Sequence, residues 1–116
     1  PRASAPAGAE VSLGGSQVTG TLDRAVIERV IRSHVSGIRA CYERVLADIP
    51  GLEGRVVIRF VIGADGNVTA AAVEESTLNN SAVEACVVAQ FRRMKFPEPE
   101  GGGVVVVNYP LVFTAE

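Results

Sequence analysis

The last stretch of the chain, Gly103-Val-Val-Val-Val-Asn-Tyr-Pro-Leu-Val-Phe113, constrains the fold more than any other. Val104, Val105, Val106 and Val107 are consecutive and β-branched, and Tyr109, Leu111 and Phe113 then alternate with smaller or polar positions such as Asn108. This pattern describes a strand that must bury at least one face and have neighbours along its length. It is expected to be the longest strand of its sheet. Pro110 has no N–H to give to a ladder, so the strand is expected at a sheet edge. An exposed edge is either a liability or a docking site.

With 116 residues, 47% of them hydrophobic and 21% charged, the chain fits one compact domain with a real core. A formal net charge of −2 offers no basic face for nucleic acid or an anionic membrane surface. No apolar run approaches the roughly 20 residues that span a bilayer, and no signal-peptide pattern is present. The chain begins with Pro1 rather than Met, which reads as a segment of a longer protein whose export signal or membrane anchor lies upstream. Cys41, Cys86 and the single histidine, His34, are too few ligands for a structural zinc site. The two cysteines are either one disulfide or two buried thiols, and composition leaves both open.

Residues 1–20 read as a flexible Pro, Ala and Gly linker. Val11, Leu13 and Val18 could make a short strand or hairpin within 10–19. Residues 21–116 read as the folded domain. From Asp23 to about Asp48 apolar residues recur at three and four residue steps (Ile27, Val30, Ile31, His34, Ile38, Cys41, Val45, Leu46), which predicts one long helix capped by Asp23 and ended by Pro50-Gly51. Gly37 weakens that helix by about 1 kcal/mol relative to Ala and so marks a close contact or a bend. Arg55–Ile62 and Val68–Glu74 flank Gly63-Ala-Asp-Gly-Asn67, a strong hairpin signal, with Val56, Ile58, Phe60 and Ile62 on the core face. A second helix is predicted over about Ser81–Arg93, with Ser81-Ala-Val-Glu84 as a capping box. The order helix, strand, strand, helix, strand predicts an α+β two-layer domain, two helices on one face of a three-stranded antiparallel sheet.

No motif points to catalysis. His34 has no Ser, Cys or carboxylate at a spacing that would make a dyad. Glu74 and Glu75 point to opposite faces of a strand and cannot work as a carboxylate pair. Gly63–Asn67 is a turn, too short for a calcium loop. Gly101-Gly102-Gly103 precedes a strand, leaving no helix N-terminus to hold phosphate. No cofactor or metal is expected.

Arg39-Ala-Cys41-Tyr42-Glu43, Pro50-Gly-Leu-Glu-Gly54-Arg-Val56, Phe60-Val-Ile62, Asp65-Gly66-Asn-Val68, Ser76-Thr77-Leu78, Val83-Glu84-Ala-Cys86, Phe96-Pro97 and Tyr109-Pro110 with Phe113 occur in that order. Together they resemble the AgmX/PglI C-terminal domain of myxobacteria, a family similar to the TonB C-terminal domain. The resemblance covers about Gly20 to Phe113. It implies a TonB-like periplasmic domain of an inner-membrane-anchored protein, linked to gliding motility or envelope energy transduction. It also implies that the domain grips an extended segment of an outer-membrane or periplasmic partner by strand addition, and meets an inner-membrane motor complex through the missing upstream part. The partner edge it implies is Val104, Val105, Val106, Val107, Asn108, Tyr109, Leu111 and Phe113. An oxidising periplasm implies a Cys41–Cys86 disulfide. The alternative reading is a structural spacer or a homodimer, in which the same edge is self-paired or covered by Glu10–Gly20.

Overall fold

The structure, a computed structural model, describes residues 9–115; of the linker expected over residues 1–20, residues 1–8 lie outside the described residues, and the strand expected within 10–19 is present as two. The sequence forms β1 (Glu10–Leu13), β2 (Gln17–Thr19), α1 (Arg24–Ser33), α2 (Val35–Leu46), β3 (Gly54–Ile62), β4 (Val68–Ser76), α3 (Ser81–Arg92) and β5 (Val105–Thr114). The class is α+β as expected, but with three helices and a five-stranded antiparallel sheet. Strand order is β1-β5-β3-β4, and β2 lies in line with β1 along the same flank of β5.

The predicted single helix is two. Asp23 caps α1, its Oδ1 accepting from the N–H of Ala25. At His34 the backbone leaves the helix (φ −107°, ψ 5°), and Ser33 Oγ donates to the Val30 carbonyl, a back-bond that tends to bend helices. The break lets α2 settle against α3. There Gly37 lies close to α3: a Cβ at that position would sit 2.6 Å from the end of the Gln90 side chain, which would have to swing aside. The weak spot in the helical pattern thus carries both a bend beside it and a close contact.

The hairpin forms where expected. Gly66 holds φ +88°, the Gly63 N–H donates to the Asn67 carbonyl, and the Asp65 carboxylate accepts from the Asn67 N–H and Nδ2. Those bonds favour the ionised carboxylate and hold Asp65 below its ordinary range. The cap of α3 is Asn80, whose side chain accepts from the Val83 N–H. Glu84 does not close the predicted capping box; it accepts from Ser76 Oγ at 2.6 Å and ties the helix start to the end of β4.

All three helices cover one face of the sheet. Val56, Ile58, Phe60 and Ile62 from β3 meet Val105, Val107, Tyr109, Leu111 and Phe113 from β5 in a single cluster with Ile27, Ile31, Ile38, Tyr42, Leu46, Val83, Val87 and Phe91. Phe60 lies between Phe91, tilted to it at 5.2 Å between centroids, and Phe96, stacked on it at 5.7 Å, and Tyr42 meets Phe113 edge-on at 5.0 Å. Buried phenols find partners: Tyr42 Oη donates to the Leu52 carbonyl, and Tyr109 Oη donates to Glu28 Oε1 at 2.6 Å.

Candidate functional site

β5 is the longest strand, at ten residues, but it is not an edge. One flank pairs with β3 from Gly54↔Phe113 to Ile62↔Val105. The other pairs with β1 (Glu10↔Thr114 to Leu13↔Leu111) and β2 (Gln17↔Asn108 to Thr19↔Val106). This corrects the assignment of the partner edge to Val104–Phe113. Val105, Val107, Tyr109, Leu111 and Phe113 are at most 1% exposed and belong to the core. Val106 and Asn108 lie on the helix-free face with their backbones taken up by β2, and exposed Val104 precedes the strand.

Pro110 misled because its missing donor falls in a gap. Along β5 the even-numbered residues direct their peptide groups at β1 and β2, and Pro110 sits between the two, opposite Gly14-Gly15-Ser16. There its carbonyl accepts from the Gly14 N–H at 3.1 Å and no donor is asked of it. An interior strand therefore tolerates a proline where its neighbour is itself interrupted.

The open flank belongs to β4. Among the described residues β4 pairs with β3 alone. Arg55 and Gly63 bond across to Thr77 and Asn67, so the odd-numbered residues of β3 face β4. Ala71 and Val73 oppose Phe60 and Ile58, even-numbered residues, so their peptide groups point away from the sheet. Arg92 Nη2 donates to one of these outward carbonyls, that of Ala71, at 3.1 Å. The register slips at Glu74 and at Thr69, two bulges that leave Ala70–Val73 as the regular stretch. Bulges and an edge charge are features by which edges avoid indiscriminate pairing.

Each face of this edge has its own groove. On the helix-free side Arg59, Val61, Ala70, Ala72 and Glu74 line an opening of about 480 Å³ that reaches round the edge to Ala71 and Arg92. On the helix side Val73, Ala85, Val88 and Ala89, with Glu84 and Arg92, line one of about 430 Å³. A strand laid beside Ala70–Val73 would send alternate side chains into each. The sequence carried a faint signal: Ala70-Ala71-Ala72 is the one β run without bulk or charge, which lets another backbone come close.

Two further features of the described residues can be stated. No group of three His, Cys, Asp or Glu residues could hold a metal ion, and no helix is long and apolar enough to cross a membrane. Glu74 sits in a bulge while Glu75 pairs with Arg55 at 3.6 Å, both exposed. Cys41 and Cys86 form a disulfide, with Cα atoms 5.7 Å apart, joining α2 to α3.

No family model matches the chain, and no solved structure does. Among curated proteins it is 34% identical over 92 residues, 79% of its own length, to the tyrosine-protein kinase MasK of Myxococcus xanthus (strain DK1622). The chain spans 14% of that relative's length. The similarity is therefore to one stretch of a longer myxobacterial protein.

Proposed function

We propose that this domain is a non-enzymatic interaction module of the cell envelope that accepts an extended segment of another protein as an added strand along β4. In this reading it is a TonB-like periplasmic domain of an inner-membrane-anchored protein, and it couples energy or force from an inner-membrane motor complex to an outer-membrane or periplasmic partner, as in gliding motility. The observation that carries it is the unpaired flank of β4 at Ala71 and Val73, with a groove on either face. The disulfide supports an oxidising compartment. A relative matched over 14% of its length supports a module carried by larger proteins. The kinase name belongs to a protein of which this chain spans 14%, and it neither supports nor contradicts this reading.

Val73→Pro provides the test. It removes an outward N–H without touching the ladder to β3, so the fold should survive while binding of an added segment is lost. Unchanged binding in a folded Val73→Pro variant would refute the site.

A stable spacer is the second reading, favoured by β1 and β2, which close the flank of β5 from within the chain. It predicts that β4 variants leave function intact as long as the domain folds.

A further inference from the structure

We propose that the outer face of α1 and α2 is a basic surface that rests on an anionic phospholipid membrane, held by contacts from arginine to headgroup phosphate without insertion into the bilayer. Membrane contact here does not depend on strand addition at β4.

The chain's net charge of −2 conceals an uneven placement. α1 and α2 together carry Arg24, Arg29, Arg32, Arg39 and Arg44 against Glu28 and Glu43, a balance of +3, so the rest of the chain holds −5. All five arginines are exposed, while both glutamates are half-buried. Ile27, Ile31, Ile38, Tyr42 and Leu46 turn the inner sides of the two helices into the core, which leaves the arginines to the solvent side of the layer.

Helical spacing offers these arginines partners that they do not take. Arg24 and Arg32 each lie four residues from Glu28, and Arg39 lies four from Glu43, a separation at which exposed ion pairs form. Among the described residues, however, the ion pair that forms joins Arg55 to Glu75 on the sheet. Glu28 is turned toward the core instead, accepting from Tyr109 Oη at 2.6 Å. The other acids nearby sit at the margins: Asp23 caps the start of α1, and Asp48 and Glu53 follow the end of α2. The guanidinium groups are therefore hydrated and open to an anion from outside.

The chemistry of the face selects a phosphate-bearing plane. Every basic group on it is arginine, whose planar fork holds two phosphate oxygens at once. The charges are spread along helices of about 15 and 18 Å, an extended array rather than a cradle for one small anion. Between them lie Ala25, Ser33, Ser36 and Ala40, small enough for a broad surface to come close. The two tyrosines and four phenylalanines are all buried, so nothing is offered to stack on bases or sugar rings. The exposed large apolar side chains, Ile49, Val104 and Val112, all lie outside α1 and α2, so contact stays at headgroup level and is driven by charge.

Sedimentation of the domain with vesicles tests this. Vesicles of phosphatidylcholine alone are compared with vesicles holding about 40% phosphatidylglycerol, at low salt and in about 0.5 M salt. The expected result is binding to the anionic vesicles only, lost at high salt. Arg29→Gln/Arg32→Gln is expected to lower partitioning about tenfold or more. Arg55→Gln/Lys95→Gln makes the same change in net charge away from the two helices and should stay within about twofold of the parent. Spectra verify that both variants are folded. Equal binding to both kinds of vesicle, binding that persists at high salt, or no binding to either would overturn the proposal. Equal losses in the two double variants would reduce the effect to net charge and overturn the assignment to α1 and α2. Soluble poly-glutamate that releases the domain from vesicles at matched charge concentration would make an acidic protein the occupant and overturn the membrane.

Discussion

Cys41 and Cys86 lie 45 residues apart in sequence and are covalently joined, fixing α2 to α3 across the helix layer. A closed loop of that length removes chain entropy worth about 4 kcal/mol from the unfolded state. Reduction, or a Cys41→Ser/Cys86→Ser double substitution, is therefore expected to lower stability by about 4 kcal/mol and Tm by about 15 °C or more. Thermal melts with and without a reductant measure this. An unchanged Tm would mean that the packing of Gly37 on Gln90 holds the two helices by itself.

Gly66 sits at φ +88°, and a Cβ there would lie 2.0 Å from the Phe96 carbonyl oxygen. Gly66→Ala is expected to cost about 3 kcal/mol, through left-handed strain together with displacement of the segment after α3. Gly15→Ala, with nothing within 4 Å of its Cβ, should stay within about 0.5 kcal/mol of the parent. Denaturant titrations compare the two, and similar losses would contradict the close approach at the hairpin.

Tyr109 is held neutral far above the ordinary phenol range, by burial first and then by its bond to Glu28 and that group's charge. Tyr42 is raised as well, by burial and by Glu53. A raised folded-state pKa stabilises the fold fully below the unfolded value of about 10, and that stability is lost as pH rises toward the folded value. Stability should therefore fall steadily above about pH 10. Tyr109→Phe is expected to lose about 1 kcal/mol at neutral pH and to show a shallower decline in alkali, with the remainder due to Tyr42. Equal alkaline slopes in parent and variant would remove Tyr109 from this account.

Deleting residues 1–19 strips β1 and β2 from β5 and bares the outward peptide groups of Val106, Asn108 and Val112. The truncated domain is expected to melt lower and to associate as concentration rises, because a long apolar strand then becomes an edge. Sedimentation and thermal melts of the two lengths measure this. Identical behaviour would mean that the N-terminal strands contribute no cover.

Periodicity made the core legible before any coordinates: Val56, Ile58, Phe60 and Ile62 alternate, Asp65-Gly66 turns the chain, and Ile27 to Leu46 keep a helical stripe even across the break at His34. Topology was harder to read, because it depends on weak elements. β1 and β2 have four and three residues interrupted by glycines, too short to show a period, yet they decide whether β5 is an edge. Pro110 pointed the wrong way for the same reason: its local chemistry is that of an edge, and only the gap opposite it reveals an interior strand. The open flank of β4 left almost no trace beyond three alanines, since an unpaired backbone is defined by the neighbour it lacks rather than by its own side chains.

Strand addition at β4 is tested most directly by site-resolved amide hydrogen exchange of the domain, free and saturated with a ten-residue peptide of alternating Val and Thr. The account predicts that the amides of Ala71 and Val73 exchange rapidly in the free domain and become protected on saturation, while those of Val105–Phe113 are slow in both states. Rapid exchange along the β1/β2 flank of β5, with protection appearing there and not at Ala71 and Val73, would contradict it.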